Sequence, residues 1–75
     1  MTHPGSVTFA DLDAGTEKVV PVEQLPEALR FGKSADGVEL PVTRVEARLK
    51  GKDRVVRELG PSGEVLRSTV QRSIF

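Results

Sequence analysis

Three groups of residues in this chain have types and spacing that could do chemistry: a basic run, two closely spaced carboxylates and one histidine. Lys or Arg stands at 44, 48, 50, 52, 54 and 57. A basic stripe is the electrostatic footprint of a surface that tracks phosphates. Arg44, Arg48, Lys50, Lys52, Arg54 and Arg57 are therefore the candidate phosphate- or partner-binding residues. Glu46 and Asp53 lie inside the run and blunt its field, and no aromatic side chain between 44 and 57 offers a platform for stacked bases. Nucleic acid held here would be gripped by its backbone, with weak sequence preference. The competing reading is a solvated sheet face whose charge is balanced elsewhere in the molecule.

Asp11 and Asp13 are two apart, so on a strand their carboxylates would share a face and could hold a hard cation. A calcium loop starting at Asp11 would need an oxygen ligand at its fifth position and glycine at its sixth. The residues there are Gly15 and Thr16, and the match fails in favour of a turn. "FGKS" at 31–34 resembles the end of a phosphate-binding loop, but the glycine required five residues before Gly32 is Glu27. His3 is the sole histidine and there is no cysteine, so no Ser-His or Cys-His nucleophilic pair can be placed in an ordered site. Paired carboxylates doing acid–base work need a cleft that separates their pKa values, and a chain this short rarely forms one. The expectation is a protein that is not an enzyme, with no cofactor and no metal.

The elements that position these residues follow from composition. Seventy-five residues make one domain that buries only about 60% of the surface its unfolded chain exposes. Val, Leu, Ile and Phe number 11, 7, 1 and 3, above the roughly 20% floor for folded chains, so a core of Val and Leu is expected. Small domains of this kind gain stability by self-association or by docking on a partner. Residues 1–40 carry seven acids and three bases, net −4; residues 41–75 carry eight bases and four acids, net +4. That asymmetry allows an acidic or nucleic-acid partner, or compensation within or between copies. The N-terminus has no basic segment followed by an apolar stretch, and no apolar run nears the ~18 residues of a membrane span. The expectation is a cytoplasmic protein with no membrane partner.

With Ile and Thr, valine makes 17 β-branched positions, which favour strands. Turn signals recur at 13–15, 35–37, 50–52 and 60–63. The pattern predicts a small β-rich (α+β) single domain over 6–75, an antiparallel meander or small open barrel, after a flexible N-terminus at 1–5. Strands are expected at 6–12 and 17–22, a hairpin at Asp36-Gly37, and a hairpin across Gly60–Gly63. One short helical turn is expected near 25–31, with Pro26 at its first position, Gly32 closing it, and Leu25, Ala28 and Leu29 facing inward. Residues 42–50 satisfy two periods: Val45, Ala47 and Leu49 alternate with charges, while Val42, Val45 and Leu49 fit a helix face. The β-branched Val42, Thr43 and Val45 favour strand. Segment 64–74 carries the same ambiguity.

Residues 7–30, "VTFADLDAGTEKVVPVEQLPEALR", resemble the strand–turn–strand–helix near the end of class II aminoacyl-tRNA synthetase anticodon-binding domains. The resemblance covers 24 of 75 residues, transfers no functional residue and is not continued by the rest of the chain. Ser73, two residues before Phe75, resembles the tail class that PDZ domains bind through strand addition and carboxylate capture; packing of Ile74 and Phe75 on the core or a partner is the other reading. Taken together, the sequence points to a small protein-interaction or assembly/accessory protein, of the kind found in bacterial or phage complexes. It would act through exposed strand edges or as a homo-oligomer. The alternative is a nucleic-acid-binding module using 44–57.

Overall fold

The computed structural model describes residues 5–72. His3 and the Ser73–Phe75 tail lie outside the described residues, as does nearly all of the 1–5 segment. Seven strands run in chain order: β1 Ser6–Asp11, β2 Thr16–Pro21, β3 Phe31–Lys33, β4 Glu39–Pro41, β5 Arg44–Lys50, β6 Asp53–Leu59 and β7 Val65–Gln71. Five form one sheet in the order β2-β1-β5-β6-β7, and β3 and β4 form a separate two-stranded ribbon.

Local chemistry explains three of the four hairpins among the described residues. Between β1 and β2, Asp11 Oδ1 accepts from the Asp13 and Ala14 amides, both at 3.1 Å. The β3–β4 turn is closed by Ser34, whose amide donates to Val38 O at 2.9 Å and whose hydroxyl accepts from the Val38 amide at 3.3 Å. Between β5 and β6, Lys50 pairs with Asp53 across a two-residue loop. There Gly51 takes φ 65°, a left-handed value at the first loop position that a type II′ turn requires of glycine. Residues 42–50 are strand rather than helix because β5 is held on both sides, by β1 and by β6.

The domain is β-rich, but its large sheet is mixed and does not close into a barrel. β1 pairs antiparallel with β2 and parallel with β5. A parallel neighbour needs a crossover of a dozen or more residues, and residues 12–43 supply it. Within that crossover no α-helix forms. Two 3-10 turns take its place, at Val22–Gln24 and Glu27–Leu29. Pro26 forces extended backbone on the residue before it, and Leu25 has φ −99° and ψ 143°. Pro26 is itself extended, with ψ 143°, so it caps the second turn instead of starting a helix. Ala28 and Leu29 are exposed and only Leu25 packs inward. The strand–turn–strand part of 7–30 is present, and the helix of the anticodon-binding resemblance is not.

Gly32 does not close a helix either; it is a buried residue of β3. The core is Val7, Val42 and Leu66, with Phe9, Leu25, Leu40 and Val45 packed against it. Leu66 reaches that core through a bulge. Leu59 pairs with Val65 and Glu58 with Arg67, which leaves Leu66 as the extra residue, and a bulged residue is aimed differently from its neighbours. The β3–β4 ribbon closes over this end of the sheet, with Gly32 against Leu66.

Candidate functional site

In-register neighbours in a sheet project from the same face, so the pairing assigns every side chain of the large sheet to a side. One row on the first face reads Lys18, Phe9, Val45, Glu58, Arg67; the next reads Thr16, Asp11, Ala47, Val56, Thr69. A third holds Leu49, Arg54 and Gln71. On the opposite face lie Glu17, Ala10, Glu46, Arg57 and Ser68, with Arg44, Arg48, Lys50 and Asp53 nearby.

The basic run is therefore split. Arg44, Arg48, Lys50 and Arg57 share the second face, Arg54 points from the first, and Lys52 sits in the turn. Arg44 is the least free of them: its Nη2 donates to Glu17 Oε2 at 2.8 Å and its Nε to Glu46 Oε2 at 2.9 Å. Hydrogen bonding to Glu46, then to Glu17, holds the Arg44 guanidinium above its already high ordinary pKa. Glu17 comes from the acidic first half of the chain, so part of the charge asymmetry is cancelled within the fold. Arg48, Lys50, Lys52, Arg54 and Arg57 form no ion pair within 4 Å among the described residues. Of these, Arg48, Lys50 and Lys52 gather at the tip of the β5–β6 hairpin, with Asp53 opposite Lys50.

One carboxylate oxygen each of Asp11 and Asp13 accepts from backbone amides. Asp11 caps its own turn, and Asp13 Oδ2 accepts from the Leu49 amide at 2.6 Å, tying the β1–β2 turn to the end of β5. Among the described residues, no three or more His, Cys, Asp or Glu side chains gather to hold a metal ion.

The first face holds a feature that the basic run did not point to. Phe9, Val45 and Val56 floor two adjoining depressions of about 380 and 300 Å³. Lys18, Arg54 and Gln71 rim the first, while Leu25 and Leu29 wall the second. In the second, Glu58 is buried and its Oε2 lies 3.2 Å from Arg67 Nη1. The lining is a hydrophobic floor with a polar rim and contains no Ser-His or Cys-His pair. Such a surface can hold apolar groups by burial, and charged flanks by ion pairing.

The sheet ends in two strands, β2 and β7, that have no hydrogen-bonded strand on their outer side among the described residues, with the β3–β4 ribbon packed on β7 at Leu66. Both carry exposed valines: Val19 at 63%, Val70 at 53% and Val65 at 48%. The alternation of Val45, Ala47 and Leu49 signalled the apolar face, but which strands would be edges depends on the strand order. No helix among the described residues is long and apolar enough to cross a membrane. No family model, curated protein or solved structure matches the chain.

Proposed function

We propose that this protein is a small non-catalytic interaction or assembly subunit that engages another protein, or a second copy of itself, through the free edges of its sheet. The observation that carries this reading is the pair of outer strands, unpaired on one side among the described residues, that carry exposed valines and both border the apolar trough. An edge strand presents backbone donors and acceptors ready to pair, and an added strand can set alternate side chains into an adjacent depression. The Arg44 ion pairs, the scattering of the other cations over two faces and the turn, and the absence of aromatic platforms in 44–57 weigh against the nucleic-acid alternative. The hairpin tip with Arg48, Lys50 and Lys52 favours that alternative and defines its test.

Fluorescence anisotropy with single-stranded DNA, duplex DNA and RNA separates the two. Three neutralised duplex phosphates would give a salt slope of about −2.7, or roughly a fortyfold loss between about 50 and 200 mM salt. No binding at low salt, with partners that co-purify with the wild type and are lost from a folded Val19→Lys, Ser68→Pro variant, supports the interaction reading. Submicromolar, steeply salt-dependent binding that disappears when Arg48, Lys50 and Lys52 become Ser overturns it.

A further inference from the structure

We infer that β7 is a self-pairing edge: two copies join antiparallel through β7 about a two-fold axis at Thr69, making a continuous ten-stranded sheet. This rests on the interaction reading above and names its partner as a second copy of this chain.

The inference starts from which backbone groups point outward. The Lys50–Asp53 pair closes a two-residue hairpin loop, so it is hydrogen-bonded, and bonding alternates along the ladder. Arg48–Val55 and Glu46–Arg57 are then bonded pairs of β5 and β6. The carbonyls of Thr43 and Ala47, intervening positions, accordingly bond Thr8 and Leu12 on the β1 side. Arg54, Val56 and Glu58 of β6 turn towards β7 and meet Gln71, Thr69 and Arg67. Within β7 this leaves the amides and carbonyls of Ser68 and Val70 directed outward. At the other edge, the Val22 amide donates to Gly5 O at 3.0 Å. By the same alternation, Val20, Lys18 and Thr16 face β1, and Glu17, Val19 and Pro21 direct their backbones outward.

Antiparallel self-pairing of β2 meets an obstacle in each register that uses these groups. Centred on Glu17 it opposes two glutamates; centred between Glu17 and Val19 it opposes Lys18 to Lys18. Centred on Val19 or beyond, it needs an amide from Pro21, which has none. Charges and proline are devices that keep edge strands from pairing. In a register centred on Thr69, β7 opposes no like charges and has no proline. With Ser68 set against Val70 of the second copy, both outward residues are used twice and four backbone hydrogen bonds form. Thr69 then faces Thr69, a favourable cross-strand pair, and Arg67 faces Gln71, with Arg67 already neutralised by Glu58. The exposed Val70 is covered, and a two-fold contact closes at two copies. Pairing of β7 with β2 of a second copy would instead leave an unused edge at each end and grow into an open ladder.

Analytical ultracentrifugation of the full chain from micromolar to millimolar concentration reads this directly. The expected result is a rise from 8.1 kDa to twice that mass, with no larger species, unchanged in Val19→Lys. Thr69→Lys and Thr69→Glu should each stay monomeric by placing like charges at the axis, and an equimolar mixture of the two should recover the dimer. A monomer at every concentration overturns the inference while leaving the interaction reading to the partner and nucleic-acid measurements. A ladder of masses ended by Val19→Lys also overturns it, as does a dimer that persists in Thr69→Lys.

Discussion

Replacing Gly32 with alanine is the sharpest test of how the ribbon is fastened to the sheet. A β-carbon at this position would lie 2.9 Å from Leu66 Cβ, with Leu66 Cδ1 and Cγ at 3.6 and 3.8 Å. The close atom is attached directly to the β7 backbone, so a change of rotamer cannot move it away. Gly32 has no left-handed φ, so alanine gains about 0.4–1 kcal/mol from a less disordered unfolded chain. Overpacking a filled core costs about 1–3 kcal/mol. The net expectation is a loss of about 1–2 kcal/mol, from a total of about 4–11 kcal/mol for a domain of this length. That corresponds to a melting temperature lower by about 4–16 °C. The assay is thermal and urea unfolding followed by circular dichroism at one fixed protein concentration, since self-association would make melting concentration-dependent. Gly60→Ala is the control: its added β-carbon would meet the Glu64 carboxylate, the far end of a flexible side chain, and should cost less. A Gly32→Ala protein as stable as the wild type would refute the close packing of β3 on Leu66.

Other perturbations probe the charged and turn positions. Arg67→Met removes the ion partner of Glu58, whose side chain is 12% exposed against 42% for Arg67. Because Arg67 reaches solvent, the cost should be about 1–2 kcal/mol, below that of a fully buried pair, and Glu58→Gln in the same chain should recover part of it in a double-mutant cycle. Asp13→Ala loses the hydrogen bond to the Leu49 amide; hydrogen exchange should speed at Leu49, with a stability loss of about 0.5–1.5 kcal/mol. Arg44→Gln breaks an exposed ion pair with Glu17 and a part-buried one with Glu46, so its melting shift should be smaller than that of Gly32→Ala and should shrink near 1 M salt, where the screening length falls to about 3 Å.

Much of the local structure was legible in the sequence because turn chemistry acts over four or five residues. The glycines at 15, 37, 51 and 63 mark turns and all take positive φ, and the hairpins at 36–37 and 60–63 stand where their turn residues placed them. The alternation in 44–50 carried the correct period, but the same apolar positions also fitted a helix face. Only the pairing of β5 with both β1 and β6 selects between them. The expected short helical turn near 25–31 is present as the 3-10 turn at Glu27–Leu29; a second at Val22–Gln24 was not signalled, and Pro21 and Pro26, set at a short interval, keep either from lengthening into an α-helix.

Strand order, by contrast, is a property of the folded chain. The parallel contact of β1 with β5 joins residues separated by the whole crossover, and nothing within either strand encodes it. That contact decides that Arg44 meets Glu17 and that Phe9, Val45 and Val56 floor one trough, while the β5–β6 register sets Arg54 on the face opposite Arg44, Arg48, Lys50 and Arg57. It also decides which strands are edges, and hence that Ser68 and Val70 have backbone groups to offer. Gly32 is the clearest single case. Its sequence context reads as the close of a helix, and its role is to let two β-strands from distant parts of the chain approach within a side chain's width. The sequence alone determined β-structure, turn positions and a thin Val/Leu core, because propensity and turn geometry are local. The tertiary structure decided faces, edges and partners of charge, because those depend on long-range packing.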